Sequence, residues 1–600
     1  MHPTTDRSTL CHRFAATTAT HNDLPAVSWH EGSNQRTLSW FRYREEVLNL
    51  AGAFLRLGLN FGDTVAIVAD NRSEHLLADW AALHCGAVPV SVYPTMAAEQ
   101  MDYVLSDCAP RLIVVVGHHQ QQIVRELPWV VGNRPKLVLF EPLSDPIAPD
   151  EFSWDEVVAL GRDSRTWVAD ELDTRISLVE PASPATIVYT SGTTGMPKGV
   201  VLTHGNVLWE VDAMVSTGTV DYAYRSVSHL PLAHVAERLW SLYLPMRLGG
   251  HVFCCPDSAQ LVLALQTHRP SFLMTVPRVW EKLRTAVDHI ASSSPFADRR
   301  SEIARDRKIL REVAEARLED QHVSALQATA AAHAREGVLR EIRQALGLDG
   351  VIYPCTGAAP VSHELRLDLA SVGIDVHVGY GMTETCGIAT GDRFGCGGRD
   401  AVGTPLPGVD IWIAADGEIL VRSPGNTPGY RHGDGVELYT ETWLHTGDIG
   451  FLDPAGRLHV TDRRKELLIT SSGKNIAPTA IETRLAGQSF LDTVIAVGND
   501  RPYVVALLTV EPSLLVKFAR ERDIDDTDIA ALLDHPVVRA EIDAAVERAN
   551  QGLSRPEQVK KYRVLADQWS PHTGELTPTF KMRRNVITAK YSAVIEDLYR

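Results

Sequence analysis

The stretch Ala185-Thr-Ile-Val-Tyr-Thr-Ser-Gly-Thr-Thr-Gly-Met-Pro-Lys-Gly-Val-Val-Leu-Thr-His204 decides how this chain folds. Its front end, Ala185 to Tyr189, is apolar and β-branched enough for a buried strand, and a loop of hydroxyls, glycines and one lysine follows. Such a loop suits phosphate. Gly192, Gly195 and Gly199 let backbone N–H groups approach an anion without a Cβ in the way, while Thr190, Ser191, Thr193 and Thr194 add hydroxyl donors and Lys198 a point charge. It is not the Walker pattern, since Pro197 precedes the lysine and Gly199 follows it. A glycine-rich turn with one lysine also serves as plain connection between strands, so the loop alone leaves both readings open.

Composition narrows the field around it. Six hundred residues, 44% of them apolar, exceed what one hydrophobic core serves, so more than one domain is expected. Fifty-eight basic against 75 acidic side chains give a net charge of -17, which argues against nucleic acid as a partner. Cys11, Cys85, Cys108, Cys254, Cys255, Cys355, Cys386 and Cys396 show neither metal-ligand spacing nor a disulfide framework, which predicts reduced thiols in the cytosol. Met1 to Leu24 lacks a continuous apolar run, so neither signal peptide nor anchor is expected. Apolar runs such as Leu112 to Val116 fall far short of the roughly 20 residues a membrane helix needs, so any membrane contact would be peripheral, at the inner face.

Helical spacing marks Ser39 to Leu59 and His75 to Cys85, each closed by a glycine, and strand runs mark Thr64 to Ala69, Val88 to Tyr93 and Leu112 to Val116. The alternation predicts parallel sheets covered by helices. Pro295 to Leu346, dense in Ala, Glu and Arg, reads as a long helical insertion with solvated faces; a lid, an oligomer contact or a membrane-facing role is the alternative. Gly417 to Tyr430 reads as strand-rich and structural.

Tyr189-Thr-Ser-Gly-Thr-Thr-Gly-Met-Pro-Lys-Gly199 as a whole resembles the signature loop of the adenylate-forming superfamily, and further segments repeat the resemblance in family order. Leu230-Pro-Leu-Ala-His-Val-Ala-Glu-Arg238 is similar to the segment beside the acyl pocket, which implies that His234 lies near the reacting carboxylate. Val276-Pro-Arg-Val-Trp-Glu-Lys282 resembles the long-chain fatty acyl-CoA synthetase branch, of bacterial type. Val351 to Pro360 runs from a strand into a small-residue turn, and Gly357, Ala358 and Ala359 match the family's adenine and acyl floor. In His377-Val-Gly-Tyr-Gly-Met-Thr-Glu384 the tyrosine marks either a turn or an adenine platform. The resemblance implies the platform: Gly379, Tyr380, Gly381, Met382 and Thr383 hold the nucleotide, with Tyr380 on adenine and Thr383 on the α-phosphate, and Glu384 holds magnesium together with Thr194.

Asp448, in Trp443-Leu-His-Thr-Gly-Asp-Ile-Gly450, reads by itself as an Asx turn; matched to the family it binds the ribose hydroxyls, as a carboxylate with two acceptor oxygens can. Thr461 to Pro478 resembles the hinge and first hairpin of a mobile C-terminal domain, with Arg463 on ribose or phosphate, a pivot at Arg464 and Lys465, and Gly473 and Lys474 facing the nucleotide and pantetheine channel in the second conformation. Glu575-Leu-Thr-Pro-Thr-Phe-Lys-Met-Arg-Arg584 matches the terminal loop whose lysine serves adenylation, here Lys581, although Thr-Phe stands before the lysine in place of the common Ser-Gly, as long-chain members tend to have it.

The resemblance thus implies an α/β fold: a large N-terminal domain of two doubly wound α/β subdomains plus a distorted β-barrel, and a small mobile α+β C-terminal domain. The divisions expected are an N-terminal extension over 1–36, the large domain over 37–462 with the insertion at 295–346, and the mobile domain over 463–600. The implied activity joins a long-chain fatty acid to CoA through acyl-AMP, using ATP and Mg2+, with Lys581, Glu384, Thr194 and His234 as catalytic residues and Trp209 as a candidate acyl gate. Transfer to a carrier-protein pantetheine and a non-catalytic nucleotide-binding scaffold are the rivals, and a homodimer stays open.

Overall fold

Thr64–Val68, Val88–Val92 and Leu112–Val115 are buried along their whole length, as strands covered on both faces must be. They lie in a parallel sheet ordered Val88–Val92, Thr64–Val68, Leu112–Val115, Lys136–Leu139, Glu151–Ser153. The computed structural model describes residues 8–32, 34–140, 149–190, 196–220, 223–392, 397–432, 438–471, 474–486, 488–570, 573–577 and 581–600. Ser191, Gly192, Thr193, Thr194 and Gly473, named above as site residues, lie outside them.

The helix predicted over Ser39 to Leu59 spans Trp40–Arg56, with the Ser39 hydroxyl accepting from the Arg42 N–H at 3.3 Å. It packs along the helix Trp154–Leu178 at a close crossing: a Cβ on Gly161 would stand 2.2 Å from the carbonyl oxygen of Asn49. A second parallel set, Phe272–Thr275, Tyr353–Thr356 and His377–Tyr380, continues antiparallel through Thr390–Gly391 and Thr404–Pro405. The barrel-like part is the antiparallel sheet of Asp410–Ile413, Glu418–Arg422, Trp443–Leu452 and Tyr439–Thr440, with Leu458–Arg463 on the far side of Trp443–Leu452. Beyond it the smaller C-terminal domain has its own sheet, Leu491–Val497, Val504–Val510 and Val559–Leu565, and its own apolar core.

Two expectations change. The segment set apart as an extension is built into the large body from Ser8 onward: Leu10, Cys11 and Phe14 are buried, and the Phe14 ring meets Trp40, Tyr43, Trp80 and His84. The strand Pro25–Glu31 sits between His251–Cys254 and Asn34–Ser39, completing a sheet. The insertion is three helices, Arg300–Leu318, Ala325–Glu336 and Val338–Ala345, after a 3-10 turn, and it is not solvated all round. Ile303, Leu310, Val313, Leu339 and Ile342 join the core under Phe272–Thr275, because apolar residues recur at helical spacing along one face.

Candidate active site

The strand predicted from the opening stretch spans Pro184–Thr190 and pairs antiparallel with Lys198–Thr203, so that Thr190 and Lys198 stand opposite one another where the loop leaves the sheet. Gly199 is required there, since a Cβ would come within 2.9 Å of Ile187 and 3.0 Å of the Tyr189 ring. The third strand of this sheet, Gly429–Tyr430, brings in a residue from the segment that reads in sequence as structural. The Lys198 ammonium lies 5.0 Å from the Tyr430 ring centroid, and the Tyr430 hydroxyl donates to Glu384 Oε1 at 2.9 Å. Tyr430 therefore joins the phosphate-side lysine to the candidate metal carboxylate. Only the aromatic at the end of Thr427-Pro-Gly-Tyr430 could have signalled it.

Glu384 is 7% exposed and sits in the 3-10 turn Thr383–Thr385, whose position is held by the Thr427 N–H donating to the Glu384 carbonyl at 2.8 Å. Tyr353–Thr356 ends in the turn carrying Gly357, Ala358 and Ala359, with Ala358 at a φ of 66° and its side chain exposed. Gly357 lies against the next strand, where a Cβ would meet the Gly379 carbonyl at 3.0 Å, so the predicted floor and the Gly379 to Met382 segment form one surface.

Tyr380 closes that surface by donating its hydroxyl to Asp448 Oδ2 at 2.8 Å. Asp448 is not in an Asx turn. It lies within the strand Trp443–Leu452, in register with Arg463, whose Nε stands 3.1 Å from Asp448 Oδ1. The turn-like Thr-Gly-Asp spelling is absorbed by Gly447 at a φ of 72° and a register shift after Ile449, which bend the strand without ending it. Burial raises the Asp448 pKa, while Arg463, Tyr380 and Lys581 oppose the shift.

Lys581 reaches this group from the C-terminal domain. A small hairpin presents it: the Thr577 N–H donates to the Lys581 carbonyl at 2.8 Å, the Lys581 N–H to the Thr577 hydroxyl at 3.0 Å, and Leu576 bridges Met582. Its side chain is open to cleft solvent. Desolvation by the surrounding walls and then the Arg463 cation lower its pKa, against Asp448, Glu466 and Glu384, which favour the charged form. His234 caps the short helix Val235–Arg238, accepting the Ala236 N–H at 3.2 Å, and burial followed by the Lys581 charge holds its pKa down at about 3, so its imidazole is neutral at neutral pH. Lys581 thus stands within electrostatic reach of Asp448, Arg463, Glu384 and His234. Lys474 stands apart on the Leu468–Ile469 to Asn475–Ile476 hairpin, exposed, its N–H on the Thr470 hydroxyl at 3.2 Å.

Beneath His234 is a buried polar network. Arg238, 1% exposed, makes a two-point ion pair with Asp79 at 2.8 Å and also donates to Ser91 and Tyr243. Glu237, also 1% exposed, accepts from the Ser241 hydroxyl at 2.5 Å and from Asn71 Nδ2 at 3.3 Å, and burial pushes its pKa up to about 8. Charged residues at successive positions in an apolar segment, Val-Ala-Glu-Arg-Leu-Trp, are the signal for it. Trp209, half-buried on the helix His204–Ser216, packs where Cβ atoms on Gly408 and Gly425 would come within 3.1 and 2.9 Å of its ring.

A large α/β domain with a barrel-like sheet, followed by a smaller α+β domain whose Lys581 faces Asp448 and Glu384 of the large one, is the architecture of an adenylate-forming fold. The chain belongs to the AMP-binding enzyme family: residues 14–431 match the AMP-binding enzyme model, and residues 465–600 match the AMP-binding enzyme C-terminal domain. It is 32% identical over 552 residues to the long-chain-fatty-acid–CoA ligase FadD15 of Mycobacterium tuberculosis, covering 91% of this chain and 89% of that one. It is 29% identical to the long-chain-fatty-acid–CoA ligase ACSBG2 of Xenopus laevis, covering 99% of this chain and 84% of that one. Among solved structures, the anthranilate CoA ligase AuaEII in complex with anthranoyl-AMP superposes with a TM-score of 0.72 at 14% identity, covering 98% of each chain.

Proposed function

We propose that this chain makes long-chain acyl-CoA from a fatty acid, ATP and CoA in two steps at one site, with AMP and pyrophosphate as the other products. The carboxylate oxygen attacks the α-phosphorus of ATP and pyrophosphate leaves; the CoA sulfur then attacks the acyl-AMP carbonyl and AMP leaves. The observation that carries this reading is that Lys581, on the C-terminal domain, lies within electrostatic reach of Asp448, Glu384 and His234 of the large domain.

Each residue has a task its chemistry suits. Asp448 accepts the two ribose hydroxyls, Tyr380 lies against adenine, and Arg463 attends the ribose or phosphate. Lys198 and the hydroxyls of Thr190, Ser191, Thr193 and Thr194, with the backbone of Gly192, hold the outgoing phosphates. Lys581 bridges the fatty carboxylate and the α-phosphate, bringing two anions together and neutralising charge as the bond forms. Neutral His234 adds a hydrogen-bonding group near that lysine without adding a further cation to Lys581 and Arg463. Glu384 suits Mg2+, an ion that takes one or two carboxylates and keeps waters and phosphate oxygens, with Thr194 alongside. Bound there, the ion supplies charge neutralisation at the phosphate oxygens.

For the second step we assign 463–600 as a mobile domain that pivots at Arg464 and Lys465, withdraws Lys581 and brings Gly473 and Lys474 to the pantetheine path. Among the described residues no helix is long and apolar enough to cross a membrane. We place the activity in the cytoplasm, with the fatty acid drawn by peripheral contact from the membrane's inner face.

Fatty acids of graded length, assayed with ATP, Mg2+ and CoA, test the proposal. Acyl-CoA and pyrophosphate in equal amounts, greatest with long chains, are expected. Absence of pyrophosphate release with every acid would overturn the adenylation, and transfer to acyl carrier protein but not to CoA would overturn the second step.

A further inference from the structure

Val276-Pro-Arg-Val-Trp-Glu-Lys282 marks a branch of the family in sequence, yet none of it touches the cleft residues described above. Pro277 opens the helix Pro277–Ala291 and Trp280 is fully buried, its indole N–H donating to the Cys355 carbonyl at 3.2 Å. The helix is therefore fixed to the strand Tyr353–Thr356, which leads into the floor of the cleft. Arg278 stands in the first turn of that helix, where the helix dipole disfavours a cation. Three carboxylates surround it. Glu281 on its own helix lies at 3.1 Å, while the other two belong to the C-terminal domain: Glu511 at 3.0 Å, and Asp492, bonded to the same guanidinium.

Asp492 is the second residue of the strand Leu491–Val497 and Glu511 is the N-cap residue of the helix Pro512–Arg520, so both ride on the core of the small domain. They are close enough to repel one another. When the two domains separate along this face, Arg278 keeps only Glu281 and a helix end of its own sign, and Asp492 and Glu511 lose the cation between them. The arrangement that shows Lys581 to Asp448 and Glu384 is thus the one in which this charge set is satisfied.

We propose that Arg278 is a positioning residue for the first half-reaction: through Asp492 and Glu511 it latches the C-terminal domain in the orientation that delivers Lys581. This rests on the two-step reading above. It follows that Arg278 favours acyl-AMP formation and must release before thioester formation, although it touches no substrate.

The test measures the half-reactions separately in the full chain, as fatty-acid-dependent pyrophosphate exchange and as thioester formation from supplied acyl-AMP and CoA. Arg278→Ala and, from the other side of the interface, Asp492→Asn are each expected to slow the exchange about fivefold or more. Thioester formation should be unchanged or faster. The exchanged pair Arg278→Asp with Asp492→Arg should recover much of the exchange rate lost in Arg278→Asp. Equal effects on both half-reactions, or no effect on either in both single variants, would overturn the latch. Lys581→Ala run alongside separates the causes: if it spares thioester formation while the Arg278 variants alter nothing, the latch alone fails, whereas equal loss of both steps in Lys581→Ala removes the two-step reading and the latch with it.

Discussion

Desolvation and the neighbouring Arg463 lower the pKa of Lys581 from the ordinary 10.5, while Asp448, Glu466 and Glu384 hold part of it back. If the charged lysine serves adenylation, kcat/KM for ATP falls on the alkaline side at a pH below that of an ordinary lysine, because this ratio follows the free enzyme. Arg463→Gln should shift that limb upward, since the cation that disfavours the lysine's proton is gone; a limb that stays put would show that another group governs it. Tyr430 offers a second check. Tyr430→Phe keeps the ring beneath Lys198 and removes the hydroxyl that Glu384 accepts, a charge-assisted bond of about 1.5–3 kcal/mol, so kcat/KM for ATP should fall by roughly ten- to a hundredfold. An unchanged ratio would return Tyr430 to a structural role.

At the scale of elements, the buried segment after His234 is sensitive to pH. Glu237 moves from an ordinary 4.5 to about 8 in the folded protein, so the folded state binds the extra proton between those values. The stability this contributes is complete below about pH 4.5 and is lost as pH rises through about 8. Glu237→Gln lacks that loss, and its Tm relative to the parent chain should improve steadily from pH 5 to pH 8; parallel curves would contradict the assignment. The insertion gives a simpler test: Leu310, 4% exposed, is core, and Leu310→Ala should cost about 2–5 kcal/mol and lower the Tm of the large domain. A solvated helix would leave Tm unmoved. These elements also show what sequence could and could not reveal. Short buried strands such as Thr64–Val68 are legible because burial on both faces leaves a nearly unbroken run of apolar and β-branched residues. Asp448 reads as a turn because Gly447 is spelled like one, and what keeps it in a strand is the pairing with Arg463 on the following strand, outside the local spelling. Tyr430 and Asp79 escaped for the same reason: their partners Glu384 and Arg238 lie far along the chain, and only the fold brings them together.

The molecule as a whole brings Lys581 of its small domain towards Asp448 and Glu384 of its large one. That the two would meet was legible only through resemblance, since a lysine near a C-terminus is ordinarily a solvated charge. The orientation itself rests on contacts such as Arg278 with Asp492 and Glu511, which no periodicity announces. In the proposed function one site serves two reactions, and Lys581 belongs to the first alone. The most direct measurement is therefore the pair of half-reaction rates in Lys581→Ala. Acyl-AMP formation should all but vanish while thioester formation from supplied acyl-AMP and CoA continues near the parent rate; loss of both to the same degree would contradict the account.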